Sequence, residues 1–307
     1  MSGQTSVLGL DVGGSKTRAV LARGGAVVDE VTVGGANLTS GGADAAQRAL
    51  DDVSTSLRLH DTEIGAVCAG AAGADSVEAL TEFEQRIRQR FPTAEVAVVH
   101  DTRIVLAAAG LETGAVCIAG TGSACWGRGG DGAEARAGGW GYLLADTGSG
   151  YGVARDAVQH ALHEVDTAQR PSLLSLRLAE ACGVDRPWQL LREFYRNQDR
   201  SYWAQLAGVV FSLAEDGDAS SRAIVTTSAQ ALVDQLAVVL GRLGLRGPVV
   251  LAGGLLVHQP LLAHEVRSRL AARGVADVRV LEVEPVTGAL RLAELMLVDH
   301  PRQVAAS

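Results

Sequence analysis

The sequence lacks any cluster of Lys and Arg and any Cys-x-x-Cys pair. Its net charge is −8, which disfavours a nucleic-acid surface or an acidic membrane as a partner. The cysteines, Cys68, Cys117, Cys125 and Cys182, indicate buried free thiols rather than a disulfide framework or a zinc site. An anionic ligand would therefore be held by local donors such as loop amides and a metal ion.

Neither an apolar stretch of membrane-spanning length nor a basic and hydrophobic leader is evident. We therefore expect a cytoplasmic protein that binds no membrane. Hydrophobic residues make up 47% and charged residues 20% of the chain, a balance typical of a globular fold. The length of 307 residues allows two domains, each with its own core.

The stretch LGLDVGGSKTRAVL near the N terminus predicts a strand, a tight turn and a second strand. Gly13 and Gly14 let backbone N–H groups approach an anion, while Ser15 and Thr17 add hydroxyl donors. Asp11 ends the first strand, where a carboxylate suits a Mg²⁺ ion bound to phosphate. The alternative is an ordinary glycine hairpin, since neither standard nucleotide-binding fingerprint occurs here.

A second stretch of the same design, AVCIAGTGSACWGRGGDGAEARAGG, begins at Ala115. The GS pair of the first turn recurs at Gly122-Ser123, and the following RGG turn recurs at Arg128, three residues sooner. We interpret the two stretches as a duplicated β-meander whose second loop, with the hydroxyls of Thr121 and Ser123, also binds phosphate. With 37 glycines in the chain, a chance likeness of two glycine hairpins is the alternative.

Helices and strands alternate after the first meander, and the chain becomes strongly helical from Ser149. This order predicts an α/β fold with a mixed sheet. We predict an N-terminal lobe over residues 1–110, joined by a C-terminal helix at 287–307. A C-terminal lobe with a helical insertion would cover 111–286. Two copies of one phosphate-binding hairpin imply two lobes that face a shared central cleft.

Asp101 stands where a buried strand gives way to a helix, the usual position for functional residues in an α/β sheet. A carboxylate there can accept the proton of an attacking hydroxyl, although a helix N-cap is the alternative. The stretch GGWGYLLADTGSGYG carries Trp140 and Asp146, which suit the apolar faces and hydroxyl rim of a sugar. A loop folded around a buried Trp is the other interpretation. Gly253 and Gly254 follow another buried strand and permit either a flat ring against the backbone or a packing turn.

Four motifs together resemble those of the sugar kinase, Hsp70 and actin superfamily. DVGGSKT at Asp11, the strand-end Asp101, AGTGS at Ala119 and LAGG at Leu251 are similar to its phosphate-1, catalytic, phosphate-2 and adenosine motifs. The stretch GGWGYLLADTGSGYGVARDAV is similar to the GGWG…GDEGS stretch of N-acetylglucosamine kinases. Those kinases share a branch with the BadF/BadG/BcrA/BcrD ATPases, which activate acyl-CoA reductases and dehydratases. The resemblance implies two ribonuclease-H-like (actin-like ATPase) lobes, commonly assembled as a homodimer.

The same resemblance implies ATP and Mg²⁺ as cofactors and an amino sugar as substrate. It assigns Asp101 as the base for the sugar 6-hydroxyl, and Asp11 as the residue that orients Mg²⁺, often through water. The implied ATP- and phosphate-binding residues are Gly13, Gly14, Ser15, Lys16, Thr17, Gly120, Thr121, Gly122, Ser123, Gly253 and Gly254. The implied sugar-binding residues are Asn37, Asp101, Thr121, Gly139, Trp140 and Asp146.

Our hypothesis is ATP-dependent phosphorylation of the 6-hydroxyl of N-acetylglucosamine or a close amino sugar. Glucosamine, glucose and N-acetylmuramic acid are alternative substrates, because Ala124 stands where N-acetylglucosamine kinases have a sugar-contacting Asn. A sugar-sensing regulator would usually need a DNA-binding segment, which we do not expect here. An ATPase that activates an acyl-CoA dehydratase or reductase would need cysteines that hold an iron–sulfur cluster, and Cys125 has no suitable companion.

Overall fold

A computed structural model of the protein describes residues 5–14, 16–36, 38–72, 77–167 and 169–299. Ser15, Asn37 and the end of the predicted C-terminal helix lie outside the described residues. The main elements in chain order are β1 (Ser6–Val12), β2 (Lys16–Arg23), β3 (Ala26–Gly34), α1 (Leu38–Ser56), β4 (Ile64–Ala71), α2 (Val77–Arg90), β5 (Glu95–His100), α3 (Asp101–Ala108), β6 (Gly114–Ala119), β7 (Ser123–Arg128), β8 (Glu134–Gly138), α4 (Gly150–Asp166), α5 (Leu173–Ala181), α6 (Leu190–Arg196), α7 (Arg200–Glu215), α8 (Ala219–Leu243), β9 (Val249–Ala252), α9 (Gly254–His258), α10 (Pro260–Ala272), β10 (Val278–Val280) and α11 (Val286–Asp299).

The first structural unit contains the described residues of Met1–Glu112 and Glu282–Ser307. Its five-stranded mixed sheet has the order β3-β2-β1-β4-β5. Strands β1, β4 and β5 are parallel to one another, whereas β2 and β3 run antiparallel as a meander. The carboxyl ends of β1, β4 and β5 therefore lie at one edge, where Val12 pairs with Ala71 and Ala71 pairs with His100.

Helices cover both faces of this first sheet because successive strand residues point to opposite sides. Leu8 and Leu10 of β1 are fully buried in a cluster formed with α1 and α2. Val7 points the other way and packs with Ile104 of α3 and Leu290 of α11. Burying each such side chain contributes roughly 1.5–3 kcal/mol. The last described helix is thus part of the first unit's core.

The second unit contains Thr113–Leu281 apart from residue 168, which is not described. Its five-stranded sheet has the order β10-β9-β6-β7-β8, with β6, β9 and β10 parallel. Read from β8, this order repeats that of the first sheet, which agrees with the two similar meanders in the sequence. The prediction of an α/β fold with a mixed sheet in each half is confirmed. The chain divides after Glu112 and Leu281, compared with predicted boundaries after 110 and 286.

Helix α8 is the one element among the described residues that is long and apolar enough to cross a membrane. Its most apolar window has a mean hydropathy of 1.5, so the expectation that no stretch reaches membrane-spanning length is wrong. The physical reason for this composition is packing, since Leu232 and Leu236 are fully buried in the core of the second unit beside Trp203. A core helix of a folded unit passes the same test of length and hydropathy.

Candidate active site

The first glycine turn joins β1 to β2 at the carboxyl edge of the first sheet. The Gly13 amide donates a hydrogen bond of 2.9 Å to the Lys16 carbonyl, and the Gly13 carbonyl accepts one of 3.0 Å from the Ala36 amide. Gly14 and the Lys16 side chain are exposed. Thr17 is buried, and its hydroxyl oxygen has no hydrogen-bond partner among the described residues. The turn therefore holds its own shape and leaves polar groups for a ligand.

Asp11 lies at the same edge, at the end of β1. Its pKa is raised from 3.8 to about 6, first by burial and then by the negative charge of Asp101, while Lys16 and Arg18 partly offset this rise. The effect of Asp101 means that the two carboxylates lie within electrostatic reach of each other. The carboxylates at the ends of β1 and β5, the strands on either side of β4, thus lie at the same edge of the parallel part of the sheet.

Arg18 faces Asp11 across the β1–β2 ladder but is held mainly by two other carboxylates. Its guanidinium lies 3.0 Å from Glu30 and 3.1 Å from Glu284. Glu284 precedes α11, and its charge also raises the pKa of Asp11. Sequence reasoning missed Glu284, because only the packing of α11 on the first sheet brings this segment to the edge.

Asp101 begins helix α3 but does not cap it. The cap is His100, whose Nδ1 accepts a hydrogen bond of 3.4 Å from the Thr102 amide and lies 2.8 Å from the Thr102 hydroxyl. The same Nδ1 lies 2.8 Å from Asp101 Oδ1, and this buried oxygen has no other hydrogen-bond partner among the described residues. The N-cap interpretation of Asp101 is therefore wrong, and its carboxylate lies beside His100 at the edge of the sheet.

The described residues contain no group of three or more His, Cys, Asp or Glu side chains that could hold a metal ion. Mg²⁺ is usually bound through one or two carboxylates together with phosphate oxygens and water. Asp11, with Asp101 nearby, fits that smaller donor set. The residues are therefore suited to a magnesium ion that arrives with a phosphate ligand.

The second glycine turn joins β6 to β7 in the second unit. The Gly120 amide donates to the Gly122 carbonyl at 2.9 Å, which closes the turn. The Gly120 carbonyl accepts a hydrogen bond of 2.7 Å from the Gly150 amide, and the Thr121 carbonyl accepts one of 3.3 Å from the Tyr151 amide. The N terminus of α4 therefore fixes this turn through the backbone.

Asp146 packs against the second glycine turn. It is 5% exposed, and its carboxylate accepts a hydrogen bond from the Ser123 amide. A Cβ atom at Gly122 would lie 2.9 Å from Asp146 Oδ2, so only glycine fits there without a shift. Asp146 has a φ of 61°, a strained left-handed conformation for a residue other than glycine. The Ser123 hydroxyl donates to the Thr147 carbonyl at 3.1 Å, so both side chains brace the turn.

Trp140 is the exposed aromatic residue of the loop that also carries Asp146. It is 68% exposed, which rules out the interpretation of a loop folded around a buried Trp. The Arg136 guanidinium lies 5.1 Å from the Trp140 ring centre and donates a hydrogen bond of 2.7 Å to the Gly139 carbonyl. Trp140 lines a shallow groove of about 350 Å³ with Arg136 and Arg242, and Asp146 is not among the lining residues.

Gly253 and Gly254 follow β9, next to the second glycine turn. Strands β6 and β9 are parallel, and Ile118 pairs with Ala252 at their carboxyl ends. Gly253 has a φ of 87°, and a Cβ atom there would overlap the Ala119 carbonyl. Only glycine satisfies both conditions. The two glycine segments of the second unit are thus direct neighbours.

Two arginines near Asp146, Arg200 and Arg155, were not found from the sequence. The Tyr142 and Tyr151 rings pack edge to face with centres 5.3 Å apart, and the Arg200 guanidinium lies 5.2 Å from the Tyr142 ring centre. Arg155 also acts on Asp146, because its charge lowers the pKa that burial raises. No sequence signal joins these positions, since α7 approaches the loop only in the folded unit.

A sequence profile of the BadF/BadG/BcrA/BcrD ATPase family matches residues 8–293. The N-acetylmuramic acid/N-acetylglucosamine kinase of Clostridium acetobutylicum is 32% identical over 275 residues, which cover 86% of this chain and 90% of that protein. The N-acetyl-D-glucosamine kinase of Dictyostelium discoideum is 28% identical over 93% of this chain and 97% of that protein. A solved structure from Chromobacterium violaceum, named as a candidate N-acetylglucosamine kinase, superposes with a TM-score of 0.75. It is 24% identical, with 94% of this chain and 99% of that chain covered, and this likeness shows the shared fold.

Proposed function

Because the chain belongs to the BadF/BadG/BcrA/BcrD ATPase family, we propose that it is an ATP-dependent sugar kinase acting on an amino sugar. The preferred acceptor in this proposal is the 6-hydroxyl of N-acetylglucosamine or a close relative. Support comes from the two curated relatives, both of which are named as kinases of amino sugars. The family description supports ATP as the phosphoryl donor.

The observation that carries the proposal is the placement of Asp101 at the carboxyl edge of the first sheet, within electrostatic reach of Asp11. A carboxylate at a strand end, with Oδ1 held 2.8 Å from His100 Nδ1, is the type of group that accepts the proton of an attacking hydroxyl. In the proposed reaction the 6-oxygen of the sugar forms a bond to the γ-phosphorus as the bond to the β–γ bridging oxygen breaks. The hydroxyl proton passes to Asp101, and ADP leaves.

The two glycine turns would hold the phosphate groups of ATP. We assign this role to Gly13, Gly14 and Lys16 in the first unit, and to Gly120, Thr121 and Gly122 in the second. Backbone amides without neighbouring Cβ atoms are suited to phosphate oxygens. Gly253 and Gly254 would lie near adenosine.

Asp11 would orient Mg²⁺, which when bound neutralises charge on the β- and γ-phosphates. The raised pKa of Asp11 bears on this role, because the metal favours the ionised form and displaces the proton. Asp11 therefore couples metal binding to pH.

The sugar would be bound by Thr121, Gly139, Trp140 and Asp146, together with Asn37, which lies outside the described residues. Asp146 would act partly by fixing the second glycine turn, given its bond from the Ser123 amide. We also propose that the protein is a cytoplasmic homodimer, which light scattering would test against the chain mass of 31.8 kDa.

The proposal is tested by measuring ATP consumption with N-acetylglucosamine, glucosamine, glucose and N-acetylmuramic acid, and by identifying each product by mass spectrometry and ³¹P NMR. We expect a 6-phosphorylated amino sugar and one ADP for each product. ATP hydrolysis that proceeds equally well without any sugar would contradict the proposal and would favour an ATPase that serves a partner protein.

A further inference from the structure

Arg200 is an exposed guanidinium on the first turn of α7 without an ion-pair partner within 4 Å among the described residues. Two other arginines of this region are paired. Arg155 lies 3.1 Å from Asp156, and Arg196 lies 2.6 Å from Glu193. Arg200 is instead held over the Tyr142 ring, 5.2 Å from its centre. Its hydrogen-bond donors are therefore available to a ligand.

An aromatic series connects Arg200 to the second glycine turn. Tyr142 packs edge to face on Tyr151, with ring centres 5.3 Å apart. The Tyr151 amide in turn donates to the Thr121 carbonyl at 3.3 Å. Tyr142 belongs to the same loop as Asp146. Arg200 thus lies on the rim of the residues to which the sugar is assigned, rather than on an unrelated surface.

The charged side chains around Asp146 carry no net negative charge that would repel a further anion. Asp146 is buried and already accepts the Ser123 amide, and burial raises its pKa while the charges of Arg200 and Arg155 lower it. The charges of Arg155, Arg200, Asp146 and Asp156 balance to zero. A ligand carboxylate that reached Arg200 would therefore meet no net negative charge from this group.

We propose that Arg200 binds a carboxylate on the sugar, so that the enzyme prefers an amino sugar carrying a carboxylate to its neutral counterpart. The inference rests on the proposed function, because it assumes that the sugar lies against Asp146 and Thr121. A guanidinium fixed over an aromatic ring presents a planar pair of donors that matches a carboxylate. Arg200 is in this view a specificity residue that takes no part in phosphoryl transfer.

The test compares three sugars with the wild-type enzyme and with Arg200→Gln, Arg200→Lys and the control Arg267→Gln, which changes an exposed arginine on α10. The sugars are N-acetylmuramic acid, its methyl ester and N-acetylglucosamine. The methyl ester keeps the bulk of the lactyl group and removes its charge. Circular dichroism and Tm establish that each variant is folded.

For Arg200→Gln we expect kcat/KM with N-acetylmuramic acid to fall roughly tenfold to a hundredfold, the range for a lost charge-assisted hydrogen bond. Values for the ester and for N-acetylglucosamine should change less than about threefold. Arg200→Lys should be intermediate, because an ammonium keeps the charge but not the planar fork. Arg267→Gln should match the wild type with all three sugars.

Equal losses on the charged and neutral sugars would overturn the inference, and so would a rise confined to the KM for ATP. Calorimetric titration of N-acetylmuramic acid separates the inference from the proposed function. If neither sugar is phosphorylated but the acid binds the wild type and not Arg200→Gln, the anion site stands and the kinase assignment fails. If the acid does not bind the wild type, the site itself is refuted.

Discussion

Replacing Asp11 with asparagine should stabilise the unliganded protein above pH 6 and weaken its binding of Mg·ATP. Burial is the main reason that the pKa of Asp11 rises from 3.8 to about 6, and the charge of Asp101 adds to it. The folded protein therefore holds this proton more tightly than the unfolded chain. Ionised Asp11 costs stability, and that cost is retained because the proposed metal site needs the charge.

The sign of the effect follows from proton linkage. Well below pH 3.8 Asp11 is protonated in both states and contributes nothing. As the pH rises towards 6, the unfolded chain loses its proton first, so the free energy of unfolding falls. Above that pH the full penalty applies. A shift of about two pKa units, at about 1.4 kcal/mol each, gives a penalty of about 3 kcal/mol.

The assay has to resolve the first unit, because all four tryptophans lie in the second unit. Urea unfolding is therefore followed by far-UV circular dichroism between pH 4 and pH 8, with hydrogen exchange of peptides from β1 and β4 reporting the first unit directly. Tryptophan emission reports the unfolding of the second unit and serves as the internal reference for the first. The control is Asp52→Asn on the exposed face of α1, for which we expect a change within about 0.5 kcal/mol at every pH.

The expected result is a gap in the free energy of unfolding between Asp11→Asn and the wild type that is small at pH 4 and grows to about 3 kcal/mol at pH 8. A variant that is less stable than the wild type at pH 8 would refute the reasoning. A gap that does not change with pH would do the same, because it would show that the effect has nothing to do with the Asp11 proton.

Three further predictions concern the same residues. Asp101→Asn should lower kcat by roughly 10²- to 10⁴-fold while the sugar dissociation constant changes little, and near-normal turnover would remove Asp101 as the base. Steady-state kinetics from pH 5 to 8 should show that kcat/KM for Mg·ATP falls below pH 6, approaching a tenfold decrease per pH unit, because protons compete with the metal for Asp11. A pH-independent kcat/KM would contradict the role of Asp11 in metal binding. Gly253→Ala should destabilise the second unit by more than about 2 kcal/mol, since Cβ overlaps the Ala119 carbonyl at positive φ. Its control Gly254→Ala would place Cβ in ordinary contact with the His258 side chain, at 3.9 Å, and should change tryptophan-monitored unfolding little.

Family membership and the α/β fold could be predicted from the sequence because both depend on local patterns. Alternating apolar residues and glycine turns mark the two meanders, and the structure gives both sheets the same strand order. The position of Asp101 at a strand end was equally readable, since a buried strand followed by a helix fixes it. The sequence did not show whether the Asp101 side chain caps the helix or leaves its carboxylate for a substrate.

The neighbouring side chain, His100, determines the role of Asp101. His100 occupies the cap, and its Nδ1 also lies 2.8 Å from Asp101 Oδ1, so the Asp101 carboxylate does not cap the helix. Trp140 is a similar case, because composition marks it as a sugar-binding residue while the fold turns its ring toward Arg136 and Arg242. Side-chain direction depends on what surrounds the loop, and the loop sequence does not contain that information.

The sequence by itself determined the repeated meanders, the glycine turns and the order of the motifs, because each of these is set within a few consecutive residues. Only the tertiary structure decided that Glu284 reaches Arg18, that Asp146 braces the second glycine turn and that Arg200 lies over Tyr142. Those contacts join segments far apart in the chain. Their geometry comes from how helices pack on each sheet, which no local pattern specifies.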